Sequence, residues 1–258
     1  MSEAVQPVLS MRGIDKSFGG LRAVIDGHLE AHAGEVLAIV GDNGAGKSTL
    51  IKVLTGVYQA DAGEIRVGGQ PVHFRNRRDS INAGIDAVYQ NLALVDLLPA
   101  PANVFLGHER VVKVLGIPFL DNRGMRRETV RILQERVGVH LDGLDQPALN
   151  LSGGQRQAVA IARAVNAADL KVLVLDEPVA ALGPQETKAT LDLVRSVRDK
   201  GIAVIIISHN LEHVFAVADR VQVMRGGRVV GVVNTAESTK HEVLGLIVGA
   251  ETVEVLEA

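Results

Sequence analysis

The sequence predicts an α/β fold in which strands and helices alternate around a buried parallel sheet. Short apolar runs rich in β-branched residues each precede a segment of helical periodicity: EVLAIV comes before KSTLIKVLTG, KVLVLD before ETKATLDLVRSVRDKG, and IAVIIIS before NLEHVFAVA. Parallel strands covered on both faces are continuous apolar runs of this kind, and the helices between them provide the crossovers.

The remaining segments predict two additions to this sheet. Near the N-terminus, PVLSMRGID, AVIDGHLEAH and GEIRVGGQPVHF contain strand-like runs separated by turn residues, which favours antiparallel strands. Between residues 91 and 168 the pattern is mostly helical, as in RGMRRETVRILQERVG. We therefore expect a single domain, 1–258, in which 1–90 and 169–258 form the core with its β subdomain and 91–168 form an inserted helical lobe. The tail AETVEVLEA is expected to be loosely held.

Composition excludes several classes of function. The chain has 258 residues with 27 basic and 30 acidic side chains, a net charge of −3 and 3% aromatic residues, so no nucleic-acid partner is expected. The longest apolar run, Ile202 to Ile207, is far shorter than the ~18 residues of a membrane span, and MSEAVQPVLSM does not resemble a secretory signal. The sequence contains no cysteine, which excludes disulfides and thiolate metal sites and is compatible with a cytoplasmic location.

A phosphate-binding loop is predicted between the first buried strand and the helix that follows it. The segment GDNGAGKST fits G-x-x-x-x-G-K-[ST] in the strand-to-helix context that this motif requires, which disfavours the alternative of a purely structural glycine-rich turn. Backbone N–H groups would surround the phosphates, Lys47 would reach the β- and γ-phosphates, and Ser48 would bind Mg²⁺. The predicted loop residues are Gly41, Asp42, Asn43, Gly44, Ala45, Gly46, Lys47, Ser48 and Thr49.

Two carboxylates follow another buried strand run. In VLVLDEP, Asp176 should emerge beside the phosphate loop, because ligands bind beyond the carboxyl ends of parallel strands. Asp176 would hold the water shell of Mg²⁺, and Glu177 would orient or deprotonate an attacking water. The alternative for this pair alone is a helix cap followed by an acidic residue of the first turn.

Two further polar residues are expected at the same edge of the sheet. His209 follows GIAVIIIS and is predicted to hydrogen-bond a γ-phosphate, the alternative being a cap of the next helix. Gln90 follows the strand-like IDAVY and is predicted to contact the metal or water and to report the γ-phosphate to the helical lobe, the alternative being a surface glutamine.

Phe18, in the glycine-flanked segment KSFGG, is predicted to stack on adenine, with a small core contact as the alternative. The basic clusters Arg75 to Arg78 and Arg123 to Arg127 are interpreted as solvated faces without an assigned function.

A second candidate anion site lies at LSGGQRQ. This segment puts a hydroxyl and two glycines directly before the helix-like AVAIARAV, where free backbone N–H groups and the positive end of the helix dipole favour an anion. The chain therefore has two phosphate-facing helix starts.

Together, these motifs resemble one family. GDNGAGKST, Gln90, LSGGQRQ, VLVLDEP and a histidine after an apolar strand, in this order, resemble the ATP-binding subunit of an ABC transporter, with a phosphate-loop NTPase core. In that family the LSGGQ residues contact the γ-phosphate of ATP held by the phosphate loop of a second subunit, in a head-to-tail dimer. The resemblance thus implies Mg²⁺ with ATP as the bound group and ATP contacts in trans from Ser152, Gly153, Gly154 and Gln155.

Further segments narrow the resemblance to a subgroup. FGGLRAV, YQNLALV, NVFLG and PVAALGPQE are similar to ATPases of bacterial monosaccharide uptake systems. The resemblance implies a peripheral subunit on the cytoplasmic face of the inner membrane, with a second ATPase subunit, membrane-spanning permeases and, indirectly, an extracytoplasmic sugar-binding protein. Many members of the subgroup are tandem duplications, so two copies, or one copy with a related subunit, are expected to pair.

Two alternatives remain at this point. FGGLRAV also occurs in ATPases of branched-chain amino-acid importers, and a soluble ABC ATPase outside transport is the other alternative, disfavoured by the lack of a basic excess. One position departs from the wider family, because Gly183 stands where an aspartate is usual.

Overall fold

A computed structural model describes residues 6–166, 169–180 and 182–250 of the chain. The predicted boundary between residues 168 and 169 falls partly outside this range, and so does nearly all of the predicted loose tail, 250–258.

The central sheet is parallel except at one edge, which confirms the predicted α/β class. The last strand pairs antiparallel with its neighbour and forms that edge. In sheet order the strands are β12 (Arg228–Asn234), β11 (Arg220–Arg225), β3 (Val36–Val40), β10 (Ala203–Ile207), β9 (Val172–Asp176) and β6 (Ile85–Val88).

These strands form because both of their faces are covered. Every residue of β3 and β10 is buried. Successive side chains point to opposite faces, so Val36 and Ala38 pack in the core on the side of the long helices, whereas Leu37 and Ile39 pack on the other side. Burying a side chain of this size contributes about 1.5–3 kcal/mol, which explains why the runs are unbroken by polar residues.

A second, antiparallel sheet covers the other side, as predicted for the N-terminal strands. Its order is β2 (Leu21–Ala31), β1 (Leu9–Phe18), β4 (Ala62–Val67) and β5 (Gln70–Val72). Helix α1 (Lys47–Leu54) lies between the two sheets and contributes Leu50 and Leu54 to their shared core.

The segment between residues 91 and 166 is mostly helical but also contains a β-hairpin that the sequence analysis missed. Its helices are α3 (Ala100–Val104), α4 (Asn122–Arg131), a π-helix (Ile132–Val137), a 3₁₀ turn (Ala148–Asn150) and α5 (Gly153–Val165). The hairpin pairs β7 (Val111–Val114) with β8 (Ile117–Leu120). Its two turn residues, Leu115 and Gly116, have φ values of 52° and 82°, and two positive φ angles are what a two-residue type I′ turn requires.

The remaining helices are α2 (Arg77–Asn82), α6 (Pro184–Asp199), α7 (Leu211–Val217) and α8 (Lys240–Val248). Within the described ranges, no helix combines the length and the apolar character needed to cross a membrane.

The arginines of the cluster Arg75 to Arg78 are exposed, as predicted for a solvated face, and Arg77 also makes contacts within the chain. Arg77 donates to the carboxylate of Asp86 at 2.8 Å and to the carbonyl of Ala87 at 3.1 Å, and its guanidinium lies 5.3 Å from the centre of the Tyr89 ring. Arg77 therefore fastens α2 to β6, a contact between segments that no local pattern indicates.

Candidate functional site

Four neighbouring strands bring the predicted site segments to one edge of the sheet. In the parallel register Ile207 pairs with Ile39 on one side and with Asp176 on the other, while Leu175 pairs with Val88. The segments that follow β3, β10, β9 and β6 therefore start side by side. This is the edge at which open α/β sheets bind ligands.

A cavity of about 600 Å³ opens at this edge. Its wall includes part of the phosphate loop together with the four polar residues expected from the other strands, so the structure brings these predicted side chains together. The predicted residues in the wall are Gly41, Asp42, Asn43, Lys47, Ser48, Gln90, Asp176, Glu177 and His209. Leu244 and Ile247 of α8 also line the cavity. These two residues were not predicted, because a C-terminal helix without a motif carries no signal of its position.

The phosphate loop needs glycine at three positions for two different reasons. Gly41, Gly44 and Gly46 have φ values of 144°, 84° and 100°, which L side chains rarely adopt. A Cβ on Gly41 would lie 2.1 Å from the carbonyl oxygen of Met224, and one on Gly46 would lie 2.5 Å from that of Ala23. At Gly44 no atom lies within 4 Å of the Cβ position, so this side of the loop is open.

The start of α1 has the form of a cradle for an anion. Its N-cap, Gly46, has no side chain to accept a hydrogen bond, and the first turn carries no acidic residue. Among the described residues, no acceptor is found for the N–H groups of Gly46, Lys47 and Ser48. Backbone donors left without a partner at a helix start fit phosphate oxygens.

Lys47 is held in the loop by its own backbone. Its Nζ donates to the carbonyl oxygens of Gly41 at 2.7 Å and Asp42 at 2.9 Å. Burial lowers the pKa of Lys47, and the carboxylates of Glu177, Asp42 and Asp176 act in the opposite direction. A phosphate in the cradle would favour the charged lysine further.

Asp176 and its neighbours fit a hard cation. Burial raises the pKa of Asp176 and the charge of Glu177 raises it further, against the smaller opposite effects of Lys52 and Lys47. A divalent cation would relieve the repulsion between the Asp176 and Glu177 carboxylates. The hydroxyl of Ser48 and the amide of Gln90 lie in the same cavity wall as Asp176, and such oxygen donors suit Mg²⁺. No cluster of three His, Cys, Asp or Glu residues that could hold a metal occurs among the described residues.

Glu177 and His209 form a close pair. His209 Nδ1 lies 2.8 Å from Glu177 Oε1, with side-chain exposures of 74% for the histidine and 18% for the glutamate. Glu177 has a φ of 51°, a strained value for a residue with a side chain, and its N–H donates to the carbonyl of Ile207 at 3.0 Å. Such strain is often found where a side chain is held for function.

The capping alternatives for these residues do not match the helix bounds. Helix α6 begins only at Pro184, so Asp176 and Glu177 are not at a helix start. Helix α7 is capped by Asn210, whose side chain accepts N–H groups of the first turn, and not by His209.

Phe18 borders a second cavity, of about 450 Å³, whose wall also includes Gly44 to Thr49 of the phosphate loop. The ring is 42% exposed, so the alternative of a core contact does not apply. It meets the Tyr58 ring edge-on, with centroids 5.0 Å apart and planes at 69°, and Lys16 Nζ lies 5.5 Å from its centre. Tyr58, which supports the ring, was missed because it lies 40 positions further along the chain.

The start of α5 lies outside both cavities. Ser152 is its N-cap, and a capping box joins it to Gln155: the Gln155 N–H donates to Ser152 Oγ at 3.3 Å, and the Ser152 N–H donates to Gln155 Oε1 at 2.9 Å. The Gly153 N–H donates to Glu186 Oε1 at 2.9 Å, whereas the Gly154 N–H has no acceptor among the described residues. The structure thus does not bring these four predicted residues together with the phosphate loop of the same chain.

Comparison with known proteins identifies the class. A family model described as ABC transporter matches residues 25–180, which is more than half of the chain. The chain belongs to the ABC transporter family and is an ATP-binding cassette with ATPase function, as the resemblance of its motifs predicted.

Three similar proteins are two import ATP-binding proteins and one ATP-binding cassette of known structure. The fructose import ATP-binding protein FrcA of Rhizobium meliloti is 41% identical over 96% of both chains. The ribose import ATP-binding protein RbsA of Hahella chejuensis is 40% identical over 94% of this chain, which spans only 47% of that relative. The crystal structure of a nucleotide-free ATP-binding cassette from an ABC transporter superposes with a TM-score of 0.79 at 25% identity, covering 98% of this chain and all of the other.

Proposed function

We propose that the chain is the ATP-hydrolysing subunit of a bacterial importer that takes up a monosaccharide through membrane-spanning permeases. The observation that carries this proposal is that one cavity is lined by all of the following side chains: Lys47, Ser48, Asp176, Glu177 and His209. The assignment of a sugar as the substrate rests on the names of the relatives, which are import proteins for fructose and ribose. Those names favour a sugar over the alternatives of a branched-chain amino acid or a function outside transport.

The cradle at α1 and the aromatic ring of Phe18 would hold ATP. The N–H groups of Gly46, Lys47 and Ser48 would receive phosphate oxygens, Lys47 would neutralise the β- and γ-phosphates, and Phe18 would stack on adenine. Mg²⁺ held by Ser48, Gln90 and Asp176 would supply neutralisation of phosphate charge.

Glu177 would serve as the base or water-orienting group. It would take a proton as the water oxygen bonds to the γ-phosphorus and the bond to the β-phosphate oxygen breaks, which yields ADP and phosphate. His209 would steady both Glu177, through the 2.8 Å contact, and the γ-phosphate.

Each ATP would need a second subunit. Ser152, Gly153, Gly154 and Gln155 lie apart from the phosphate loop of their own chain, and the free Gly154 N–H with the exposed Ser152 hydroxyl supports their binding the γ-phosphate in a partner's loop. Two subunits would close head to tail on two ATP molecules and reopen after hydrolysis, because ATP favours the closed state.

The core that binds the nucleotide would consist of residues 1–90 and 169–258. The membrane-spanning permeases would dock on the inserted helical lobe, residues 91–168. The hairpin β7–β8 supports this docking, because Leu115 at its tip is 99% exposed and further apolar side chains are also open to solvent, namely Val111, Val112, Ile117, Phe119 and Leu120. Exposed apolar patches of this kind mark interaction surfaces.

The subunit would then sit peripherally on the cytoplasmic face of the cell membrane, and an extracytoplasmic sugar-binding protein would deliver the substrate.

The test is ATP hydrolysis by the chain assembled with its permease in proteoliposomes. We expect hydrolysis to rise when a binding protein loaded with a monosaccharide is added, and to stay basal when the binding protein carries a branched-chain amino acid. Stimulation by the amino acid, or hydrolysis that no permease affects, would contradict the proposal.

A further inference from the structure

We infer that Glu186 is a positioning residue that holds the start of α5 ready for the partner's ATP and ties it to the segment carrying Glu177. This inference rests on the proposed trans role of Ser152 and Gly154. No sequence motif marks Glu186, which is one acidic residue in the helical pattern after AALGPQ.

One carboxylate caps two helix starts. Glu186 is the third residue of α6, and its Oε2 accepts the N–H of Gly183, directly before that helix, at 3.3 Å. Its Oε1 accepts the N–H of Gly153, the first residue of α5, at 2.9 Å. A charged acceptor stabilises a helix start through both the hydrogen bond and the helix dipole.

The contact between the two helices is close at one glycine only. A Cβ on Gly153 would lie 2.5 Å from Leu182 Cδ2 and 3.4 Å from both carboxylate oxygens of Glu186. A Cβ on Gly154 would have no neighbour nearer than 3.8 Å. A side chain at Gly153 would therefore have to displace the end of the Leu182 side chain, whereas no contact within the described residues opposes a side chain at Gly154.

Glu186 decides which donors of α5 remain available. The N–H groups of Ser152 and Gln155 are paired by the capping box, and Glu186 pairs that of Gly153. Only the Gly154 N–H lacks an acceptor among the described residues of this turn. With the turn held from both sides, this donor and the Ser152 hydroxyl keep a fixed direction, which lowers the ordering cost of binding a phosphate.

Glu186 also stands between two ATP sites. It lies nine positions after Glu177, which serves the ATP of its own chain, and it contacts Gly153, which belongs to the site for the partner's ATP. Through this contact Glu186 joins the α5 start to the start of α6, the helix that follows the segment carrying Glu177.

The test compares E186A, E186Q and a control, D79A, on the full chain assembled with its permease. Asp79 is the third residue of α2 and accepts the Arg75 N–H at 2.8 Å, so D79A removes a similar carboxylate cap from a helix start that lines neither of the two cavities and lies outside the inserted lobe. For each variant we would measure the melting temperature, ATP binding by the isolated chain, and the KM, kcat and Hill coefficient of hydrolysis.

E186A should leave ATP binding by the isolated chain within about twofold of wild type. It should raise the KM of hydrolysis about tenfold, which is the effect of losing one hydrogen bond to a charged group. The Hill coefficient should fall towards 1. E186Q keeps an oxygen that accepts one of the two N–H groups, so its KM should lie between those of wild type and E186A. D79A should lower the melting temperature comparably and leave KM unchanged.

An unchanged KM and Hill coefficient in folded E186A would overturn the inference, and so would an equal rise in KM for D79A. The inference would also be overturned if the KM of E186Q rose as much as that of E186A. The rise in KM would then not be caused by the loss of hydrogen bonds that Glu186 accepts. If the wild-type assembly itself fails to hydrolyse ATP, the proposed function fails, which is a result distinct from any of these.

Discussion

Two helices of this protein begin at glycine-rich segments, and their first turns are built in opposite ways. The start of α1 has no side-chain cap and leaves the N–H groups of Gly46, Lys47 and Ser48 without an acceptor in the described residues. The start of α5 is capped by Ser152 and its capping box and, through Gly153, by Glu186. A helix start free of internal partners can surround a phosphate by itself, whereas one that is already capped can offer only its remaining donors to a ligand carried by another molecule.

The largest expected effect concerns Glu177, the residue proposed to act on water, which lines the cavity next to the α1 start. E177Q should lower turnover by about 10²–10⁴-fold, the contribution typical of a general base, while ATP binding is retained and the ATP-bound dimer persists. Hydrolysis and ATP binding would be measured on the same preparation. E64Q, in an exposed ion pair with Arg66, is the control and should hydrolyse at the wild-type rate. Wild-type turnover in E177Q would remove Glu177 from the reaction.

The next prediction separates the two helix starts. K47A removes the cation of the α1 cradle and should weaken ATP binding by the isolated chain at least about tenfold. S152F places a bulky side chain at the α5 start and should impair hydrolysis severely without weakening that binding. Titration of a fluorescent ATP analogue measures the binding. If S152F also abolished binding by the single chain, the α5 start would belong to the same site as the loop.

The two glycines of the signature segment should respond differently. G154A introduces a Cβ that meets nothing closer than 3.8 Å, and alanine is favoured over glycine in a helix by up to about 1 kcal/mol, so the melting temperature should stay level or rise. Hydrolysis should nevertheless fall severalfold, because the methyl group lies beside the free Gly154 N–H. G153A has to displace the end of the Leu182 side chain, so its melting temperature should lie below that of G154A. A G154A protein with wild-type hydrolysis would show that the second glycine faces no ligand.

The smallest effect is a pH dependence of stability in the nucleotide-free protein. Because burial and Glu177 raise the pKa of Asp176 above its ordinary value of 3.8, folding favours the protonated form, and stability is lost as the pH rises through that raised pKa. D176N should therefore raise the melting temperature near neutral pH by roughly 2 °C, and the difference should vanish towards pH 4. A difference that grew on acidification would have the wrong sign for this explanation.

Much of this arrangement could be predicted from the sequence because it follows from order along the chain. Apolar strand runs indicate a parallel sheet, and polar residues directly after such runs must meet at one edge. Gln90, Asp176, Glu177 and His209 could therefore be grouped from their positions in the chain alone. The two phosphate-facing helix starts are likewise local patterns of glycines and hydroxyls.

The rest depends on contacts between distant segments. Glu186 meets Gly153 across 33 positions, Phe18 meets Tyr58 across 40, and Leu244 reaches the catalytic cavity from the C-terminal helix. No spacing rule marks such pairs. The hairpin β7–β8 was missed for another reason: its two short strands lie within a long helical segment, and its apolar side chains are exposed instead of buried, so they do not produce the alternation of a half-buried strand.

The central claim, that each ATP lies between the α1 start of one chain and the α5 start of another, can be tested directly because the chain contains no cysteine. N43C and S152C would be introduced into separate copies, each also carrying E177Q, and mixed with a short bis-maleimide cross-linker. We predict an ATP-dependent covalent dimer that forms in the mixture and not from either single variant alone. A mixture that gives no dimer with ATP, or the same yield with and without it, would contradict the claim.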